Sequence, residues 1–134
     1  KSMPGRRNLV QKMQPPGIEM IIGGRHDREF GPVVLVGFGG TLVELIRDRV
    51  IRVLPVFEKE AEAMIDELKA APILKGFRGL IHPDRDALLS AIVNAGKLMM
   101  EHPEVIELDI NPFILFEKGK GACAVDARIL IIKA

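Results

Sequence analysis

The order in which hydrophobic periodicities follow one another limits the folds open to this chain. Segments rich in β-branched and other apolar residues, bounded by glycine or proline, come first and are predicted strands: 8–13, 18–22, 32–38, 41–47 and 50–54. Two stretches with helical spacing follow, and strand-like segments return between residues 105 and 132. Strands, two helices and further strands predict an α+β domain whose helices pack on a largely antiparallel sheet.

Two helices are predicted where apolar residues recur at the helical period. The stripe of the first helix consists of Ala61, Met64, Ile65 and Leu68. This helix ends before Pro72, whereas the second begins at Asp84, a residue type that caps helix N-termini, and ends at Pro103. Met99 and Met100 lie in the second helix, and we expect both to fill the core.

Composition narrows the class of protein. The chain has 134 residues, a formal net charge of +1 and neither Trp nor Tyr, so it lacks the basic face with stacking aromatics that nucleic-acid binding favours. Its longest apolar runs, such as residues 33–36 and 129–132, are far too short to span a bilayer. We therefore expect a single domain, residues 1–134, in a cytoplasmic protein without nucleic-acid or membrane partners.

The lone Cys123 sits in an apolar strand, and we expect it to be a small core residue rather than a nucleophile.

The chain begins at Lys1 instead of methionine and shows no folded-looking unit before residue 8, so we expect it to be a piece of a larger protein.

Polar residues alternate with apolar ones near the C-terminal end of the sequence. In a strand, Glu107, Asp109 and Asn111 share one face, while Leu108 and Ile110 face the core. Carboxylate and amide oxygens are the ligands that magnesium prefers, and a nucleotide-bound magnesium takes only one or two of them from the protein. This strand therefore predicts one side of a magnesium site.

The other side of that site comes from the returning strand. A turn in the EKGKG segment, residues 117–121, places Asn111 opposite Asp126 and Asp109 opposite Arg128. Two oxygen ligands then meet across the strands. The alternative is a solvated hairpin with an ion pair between Asp109 and Arg128 and no metal.

Pro112 gives a second alternative for the pairing of these strands. Proline cannot donate a hydrogen bond to the neighbouring strand, and a bulge at this position would shift the pairing by one residue. Asp126 would then point away from Asn111.

Several motifs, in this order and at these spacings, resemble one family. They are Asp27 with Phe30-Gly31-Pro32, the GxGG of Gly37, Gly39 and Gly40, and the segments LKGFRGL, VIELDINPF and AVDARI. The chain from about residue 8 onward resembles the C-terminal part of the ATP-grasp domain in ADP-forming acyl-CoA synthetases, the acetate–CoA ligases, which are relatives of the succinyl-CoA synthetase beta subunit. This resemblance implies a C-terminal ATP-grasp subdomain whose N-terminal lobe lies outside the sequence.

The resemblance also implies the parts of a nucleotide site. Asn111 and Asp126 would be the magnesium ligands, with Asp109 beside them, and Glu19 would bind the ribose hydroxyls. A hinge would hold the adenine of ATP or ADP, and it consists of Gln11, Lys12, Met13 and Gln14.

Two loop residues have more than one interpretation. Asp27 resembles the family acid near the phosphoryl-transfer centre, where it would orient a phosphohistidine imidazole; a loop aspartate that only caps a turn is the alternative. Arg78, in GFRG, is a candidate phosphate contact or an ordinary loop arginine.

The implied reaction is acyl-CoA + ADP + phosphate ⇌ carboxylate + CoA + ATP, with phosphoryl transfer between a phosphohistidine and the nucleotide in this part. The partners would be an N-terminal ATP-grasp lobe and a CoA-binding, phosphohistidine-bearing domain or alpha subunit, and the chain alone is expected to be inactive. Oligomerisation stays open. The alternatives are another ATP-grasp enzyme, of the carboxylate–amine ligase type, and a non-catalytic nucleotide-binding module.

Overall fold

The computed structural model of the chain describes residues 17–40, 47–76 and 82–132. The predicted strand at 8–13 and nearly all of the one at 41–47 lie outside these ranges. So do Arg78 and the predicted hinge residues Gln11, Lys12, Met13 and Gln14.

Within this part of the chain, one six-stranded sheet runs in the order β3-β2-β1-β4-β5, and β6 also pairs with β4. The strands are β1 (Ile18–Asp27), β2 (Gly31–Phe38), β3 (Arg49–Val53), β4 (Val105–Leu115), β5 (Ala122–Ala124) and β6 (Ala127–Ile131). Every pairing is antiparallel. The predicted antiparallel sheet is confirmed, and β1 lies at its centre between β2 and β4.

Two α-helices and a short 3₁₀ helix connect the two halves of the sheet. They are α1 (Glu58–Glu67), the 3₁₀ helix (Ala71–Lys75) and α2 (Arg85–Glu101). Helix α2 begins as predicted, because Asp84 Oδ1 accepts the Ala87 N–H at 3.2 Å and so satisfies one of the free amides of the first turn. None of the helices within the described ranges has the length and apolar character needed to cross a membrane.

Both helices pack on one face of the sheet. Their contacts form the core, in which the participating side chains are Met20, Ile22, Val34 and Val36 from the sheet and Met64, Ile65, Leu88, Ile92 and Met99 from the helices. Burying one such side chain stabilises the fold by about 1.5–3 kcal/mol. The opposite sheet face carries no helix of the described residues, and we call it the open face.

Asp48 is a buried carboxylate at the start of β3, with only 2% of its surface exposed. Its two oxygens accept the Lys69 N–H at 2.6 Å and the Ala70 N–H at 2.8 Å. These amides follow the C-terminal end of α1, so the carboxylate joins the β2–β3 connection to that end of the helix. These two hydrogen bonds offset the free-energy cost of burying the Asp48 carboxylate.

Two predictions of burial were wrong. Met99 is buried as predicted, but Met100 is 48% exposed because it lies next to, and not on, the stripe of α2 that faces the sheet. Cys123 is exposed because β5 is a short strand at the margin of the sheet, beyond the area that the helices cover.

Candidate functional site

The last hairpin of the sheet brings together the residues predicted to hold magnesium. Asp109 lies opposite Arg128 in the pairing of β4 with β6, and the Asn111 N–H donates to the Asp126 carbonyl oxygen at 2.9 Å. Both relations are those of the predicted register. The structure therefore confirms that Asn111 lies opposite Asp126 in the hairpin.

Pro112 does disturb the sheet, but on the other side of β4. The pairing with β5 and β6 keeps its register past Pro112, whose carbonyl accepts the Val125 N–H at 3.0 Å. The irregularity lies in the pairing with β1 between Met20 and Ile22, where β4 contains an extra residue. A bulge there accommodates the missing N–H, so the predicted shift of Asp126 does not occur.

The carboxylates of this hairpin take part in no salt bridge of the described residues. Asp109 and Arg128 are neighbours in register, yet no ion pair within 4.0 Å joins them, and none involves Asp126. Asp109 is half-buried, while Asn111 and Asp126 are exposed. Their side-chain oxygens are therefore available to a ligand from solvent.

A pocket of about 220 Å³ on the open face begins beside this hairpin. Its floor is Gly23, which lies between Asp109 of β4 and Leu35 of β2 in the sheet register. Without a side chain at Gly23, the backbone of β1 is accessible from above. Asp109 lines this pocket and also belongs to the hairpin, so the pocket and the hairpin form one continuous site.

Two arginines and two acids line the pocket from different strands. Arg25 of β1 lies opposite Glu107 of β4 in register, and Arg49 projects from β3. Such a lining suits a ligand that carries anionic groups together with a cation. The sequence analysis missed Arg25 and Arg49; strand alternation contains the signal, because Gly23 and Arg25 have the same parity on one strand.

Glu19 lies at the beginning of β1 and is exposed. It has the same strand parity as Ile21, which lines the pocket, and its carbonyl accepts the Gly39 N–H at 2.8 Å. Glu19 therefore lies on the open face at the end of β1 nearest to Asn111.

Asp27 lies at the other end of β1, where its carboxylate caps the β1–β2 turn. Its Oδ1 accepts the Glu29 N–H at 2.8 Å and the Phe30 N–H at 3.1 Å. Asp27 is six positions beyond Ile21 on β1, a distance of roughly 20 Å along the strand. The structure thus confirms the turn-capping contacts and does not bring Asp27 together with Asn111 and Asp126.

These two amides also set the ionisation of Asp27. The Glu29 N–H, followed by the Phe30 N–H, holds the pKa of the Asp27 carboxyl below its ordinary value of 3.8, because both bonds favour the charged form. A depressed folded-state pKa means stability that is complete above pH 3.8 and is lost as the pH falls through the lower value.

We expect Asp27→Asn to retain the turn, because Oδ1 remains, but to lose the charge-assisted part of both bonds. In urea unfolding at a series of pH values, wild type should exceed the variant in stability above pH 3.8, and the difference should disappear below the folded-state pKa. A difference that persists unchanged into strong acid would contradict this assignment.

The residues do not form a dedicated metal cage. In the described part of the chain, no group of three or more His, Cys, Asp or Glu side chains is arranged around one point. Asn111 and Asp126 instead offer two hard oxygens, held together by a backbone hydrogen bond and open to water. Magnesium that travels with a nucleotide fits this donor set, because phosphates and water complete its shell.

Comparison with known proteins identifies a family for this chain. The family model described as ATP-grasp domain matches residues 4–131. The beta subunit of acetate–CoA ligase (ADP-forming) I from Pyrococcus furiosus is 43% identical over 92% of the chain and 52% of its own length. Trans-feruloyl-CoA synthase from an unknown prokaryote is 41% identical over 92% of the chain and 17% of its own length.

A solved structure is similar in fold as well. The dinucleotide-forming acetyl-coenzyme A synthetase 1 of Ca. Korarchaeum cryptofilum, in complex with coenzyme A and Mg-AMPPCP, superimposes with a TM-score of 0.83 at 41% identity. The match covers 98% of this chain and 63% of that one. The chain thus spans about half of the related beta subunit and a smaller share of the longer synthase.

Proposed function

The chain belongs to the ATP-grasp domain family, and on this basis we propose that it is the nucleotide- and magnesium-binding part of an ADP-forming acyl-CoA synthetase. The observation that carries the proposal is the pairing of Asn111 with Asp126 beside a glycine-floored pocket on the open face. The overall reaction would be acyl-CoA + ADP + phosphate ⇌ carboxylate + CoA + ATP. The names of the relatives favour this reaction over that of a carboxylate–amine ligase.

Asn111 and Asp126 would hold the magnesium, with Asp109 beside them. When bound, this ion neutralises phosphate charge during phosphoryl transfer. The chain's own role would be positioning, and the backbone hydrogen bond that joins Asn111 to Asp126 before the nucleotide arrives supports it.

The nucleotide would lie along the open face. Support comes from the order of groups along β1, with Glu19 near the hairpin for the ribose and Arg25, which lines the pocket beyond Gly23, for phosphate oxygens. Gln11, Lys12, Met13 and Gln14 would hold the adenine. Asp27, farther along β1, would orient the imidazole of an incoming phosphohistidine through Oδ2, since both amides of the turn donate to Oδ1.

The partners would be the remaining parts of a larger ligase. Residues 1–134 would be one subdomain, completed by an N-terminal ATP-grasp lobe and by a CoA-binding, phosphohistidine-bearing domain or alpha subunit. Support comes from the related beta subunit, about twice as long as the matched region, and from the CoA complex of the similar structure. The same proposal places the protein in the cytoplasm, where ADP and CoA are available.

The acyl substrate would be selected outside this chain. A ligase named for acetate and a synthase named for the feruloyl group are 43% and 41% identical to it over nearly the same region. A region this similar in enzymes named for a small and for an aromatic acid would serve a step that the two have in common, not the choice of acid.

Calorimetric titration of ADP and ATP, with and without Mg²⁺, tests the proposal. Wild type should bind either nucleotide more tightly with Mg²⁺, and Asn111→Ala combined with Asp126→Ala should lose that increment, about tenfold in affinity or 1.4 kcal/mol. The matched control is Asn94→Ala combined with Asp86→Ala, which removes the same two residue types from exposed positions of α2.

Magnesium-independent binding in wild type, or an equal loss in the control, would contradict the metal assignment. If the chain alone binds no nucleotide, the titration is repeated with the N-terminal lobe of a related beta subunit added in trans. Absence of binding there too would refute the proposal.

A further inference from the structure

The tip of the last hairpin is held by the residues that start helix α2. The Lys118 N–H donates to the His82 carbonyl at 2.6 Å, and the Asp84 N–H donates to the Phe116 carbonyl at 2.8 Å. The Asp84 side chain adds two bonds, since its Oδ2 accepts the Gly119 N–H at 3.1 Å and the Gly121 N–H at 2.8 Å.

One carboxylate therefore serves two structures. Oδ1 of Asp84 caps α2 through Ala87, while Oδ2 binds both glycine amides of the turn. Gly119 and Gly121 have φ angles of +86° and +78°, which side-chain-bearing residues rarely adopt, and these angles direct both amides to the same oxygen. Helix α2 is anchored in the core, so the turn is fixed relative to the whole sheet.

The turn also has backbone bonds of its own, from the Phe116 N–H to the Gly121 carbonyl at 3.0 Å and from the Lys120 N–H to the Glu117 carbonyl at 2.8 Å. The anchoring by Asp84 matters in addition to them because β5 itself contributes little to the register. The strand has three residues, Ala122, Cys123 and Ala124, which are small and largely exposed. In such a hairpin the turn determines which residues pair, and a slip by one residue turns every side chain to the other face. From the turn to Asp126 the register continues without a shift, so a slip at the turn would displace Asp126 from Asn111.

We propose that Asp84 is a positioning residue for the magnesium site: it fixes the hairpin register that sets Asp126 against Asn111. This inference rests on the proposed function for its magnesium readout. Its structural part, control of the register by Asp84, stands on the hydrogen bonds alone.

The substitution Asp84→Asn separates the two tasks of the side chain. Asparagine caps helices about as well as aspartate, so its oxygen can retain the bond to Ala87. Its amide group is a donor, however, and cannot accept from Gly119 or Gly121. The helix should remain intact while the turn loses both side-chain bonds and keeps only its backbone bonds.

The first measurement is magnesium-dependent ADP binding by wild type, Asp84→Asn and Asp86→Asn. The last variant is the matched control, because it removes an exposed carboxylate from the same first turn of α2. We expect Asp84→Asn to weaken Mg²⁺-ADP binding about tenfold, at the lower end of effects known for groups that orient metal ligands, with metal-free ADP binding unchanged. The control should match wild type in both.

The second measurement needs no ligand. Amide hydrogen exchange at Asn111 and Val125, whose N–H groups bond across the hairpin, should be at least severalfold faster in Asp84→Asn, while Ile92 in α2 should exchange as in wild type. Equal protection at Asn111 and Val125 in both proteins would overturn the inference.

The outcomes distinguish the two proposals. If wild type shows no magnesium-dependent binding, either alone or with the N-terminal lobe added, the proposed function fails, and the exchange measurement alone decides on Asp84. If wild type binds and Asp84→Asn binds equally well, the positioning role fails while the proposed function survives. A loss of metal-free binding in Asp84→Asn would indicate general unfolding and would also overturn the inference.

Discussion

Asp48→Ala is expected to lower the free energy of unfolding by about 3 kcal/mol, because it leaves two partly buried N–H groups without an acceptor. Those groups are the amides of Lys69 and Ala70, bound at 2.6 and 2.8 Å in the wild type. The side chain is almost fully buried, so water cannot replace the lost oxygens without opening the contact between β3 and the end of α1. Chemical denaturation at neutral pH measures the difference.

The control for this prediction is Asp66→Asn. Asp66 also binds a partner, Arg85 at 2.7 Å, but its side chain is 54% exposed. Exposed pairs of this kind contribute about 0–1 kcal/mol, so the control should unfold close to wild type. If both variants lose the same stability, the burial of Asp48 is not what makes its bonds valuable.

Gly24→Val should destabilise the fold by about 3 kcal/mol, whereas Gly23→Val should leave stability within about 0.5 kcal/mol of wild type. The two glycines are neighbours on β1 but face opposite sides of the sheet. A Cβ at Gly24 would stand 2.7 Å from Met99 Cγ and 3.0 Å from its Sδ, so the Met99 side chain would have to leave its place in the core. A Cβ at Gly23 meets nothing closer than 3.4 Å, the Leu108 carbonyl oxygen.

Although Gly23→Val should be as stable as wild type, we expect it to bind the nucleotide more weakly. Valine at Gly23 would fill the floor of the pocket, and magnesium-dependent ADP binding should fall about tenfold. Thermal unfolding and calorimetry on the same preparations check both parts. Normal binding by Gly23→Val would exclude the pocket from the nucleotide site, and normal stability of Gly24→Val would show that α2 does not pack closely there.

Much of this arrangement could be predicted because local rules fix it. A five-residue turn with two glycines sets the register of the strands on either side, so the opposition of Asn111 and Asp126 follows from counting. Asp84 likewise marks a helix start by its side-chain chemistry.

The remaining features depend on contacts between distant parts of the chain. Cys123 resembles a core residue until the limited reach of the helices over the sheet is known. Arg25 and Arg49 are unremarkable in sequence, since they become neighbours of one pocket only when three strands align. Pro112 shows the same limit: a bulge was foreseeable, but its side of β4 was not.

The central position of β1 also has a kinetic consequence. The strand pairs with β2 through a short turn. Its other partner, β4, is distant in sequence, because β2, β3 and both helices lie between β1 and β4. Pairings across such sequence distances form slowly, because the intervening loop must be closed before the contacts stabilise it. Gly23 and Asp109 are paired across these two strands, so we expect the pocket to form in one of the later steps of folding.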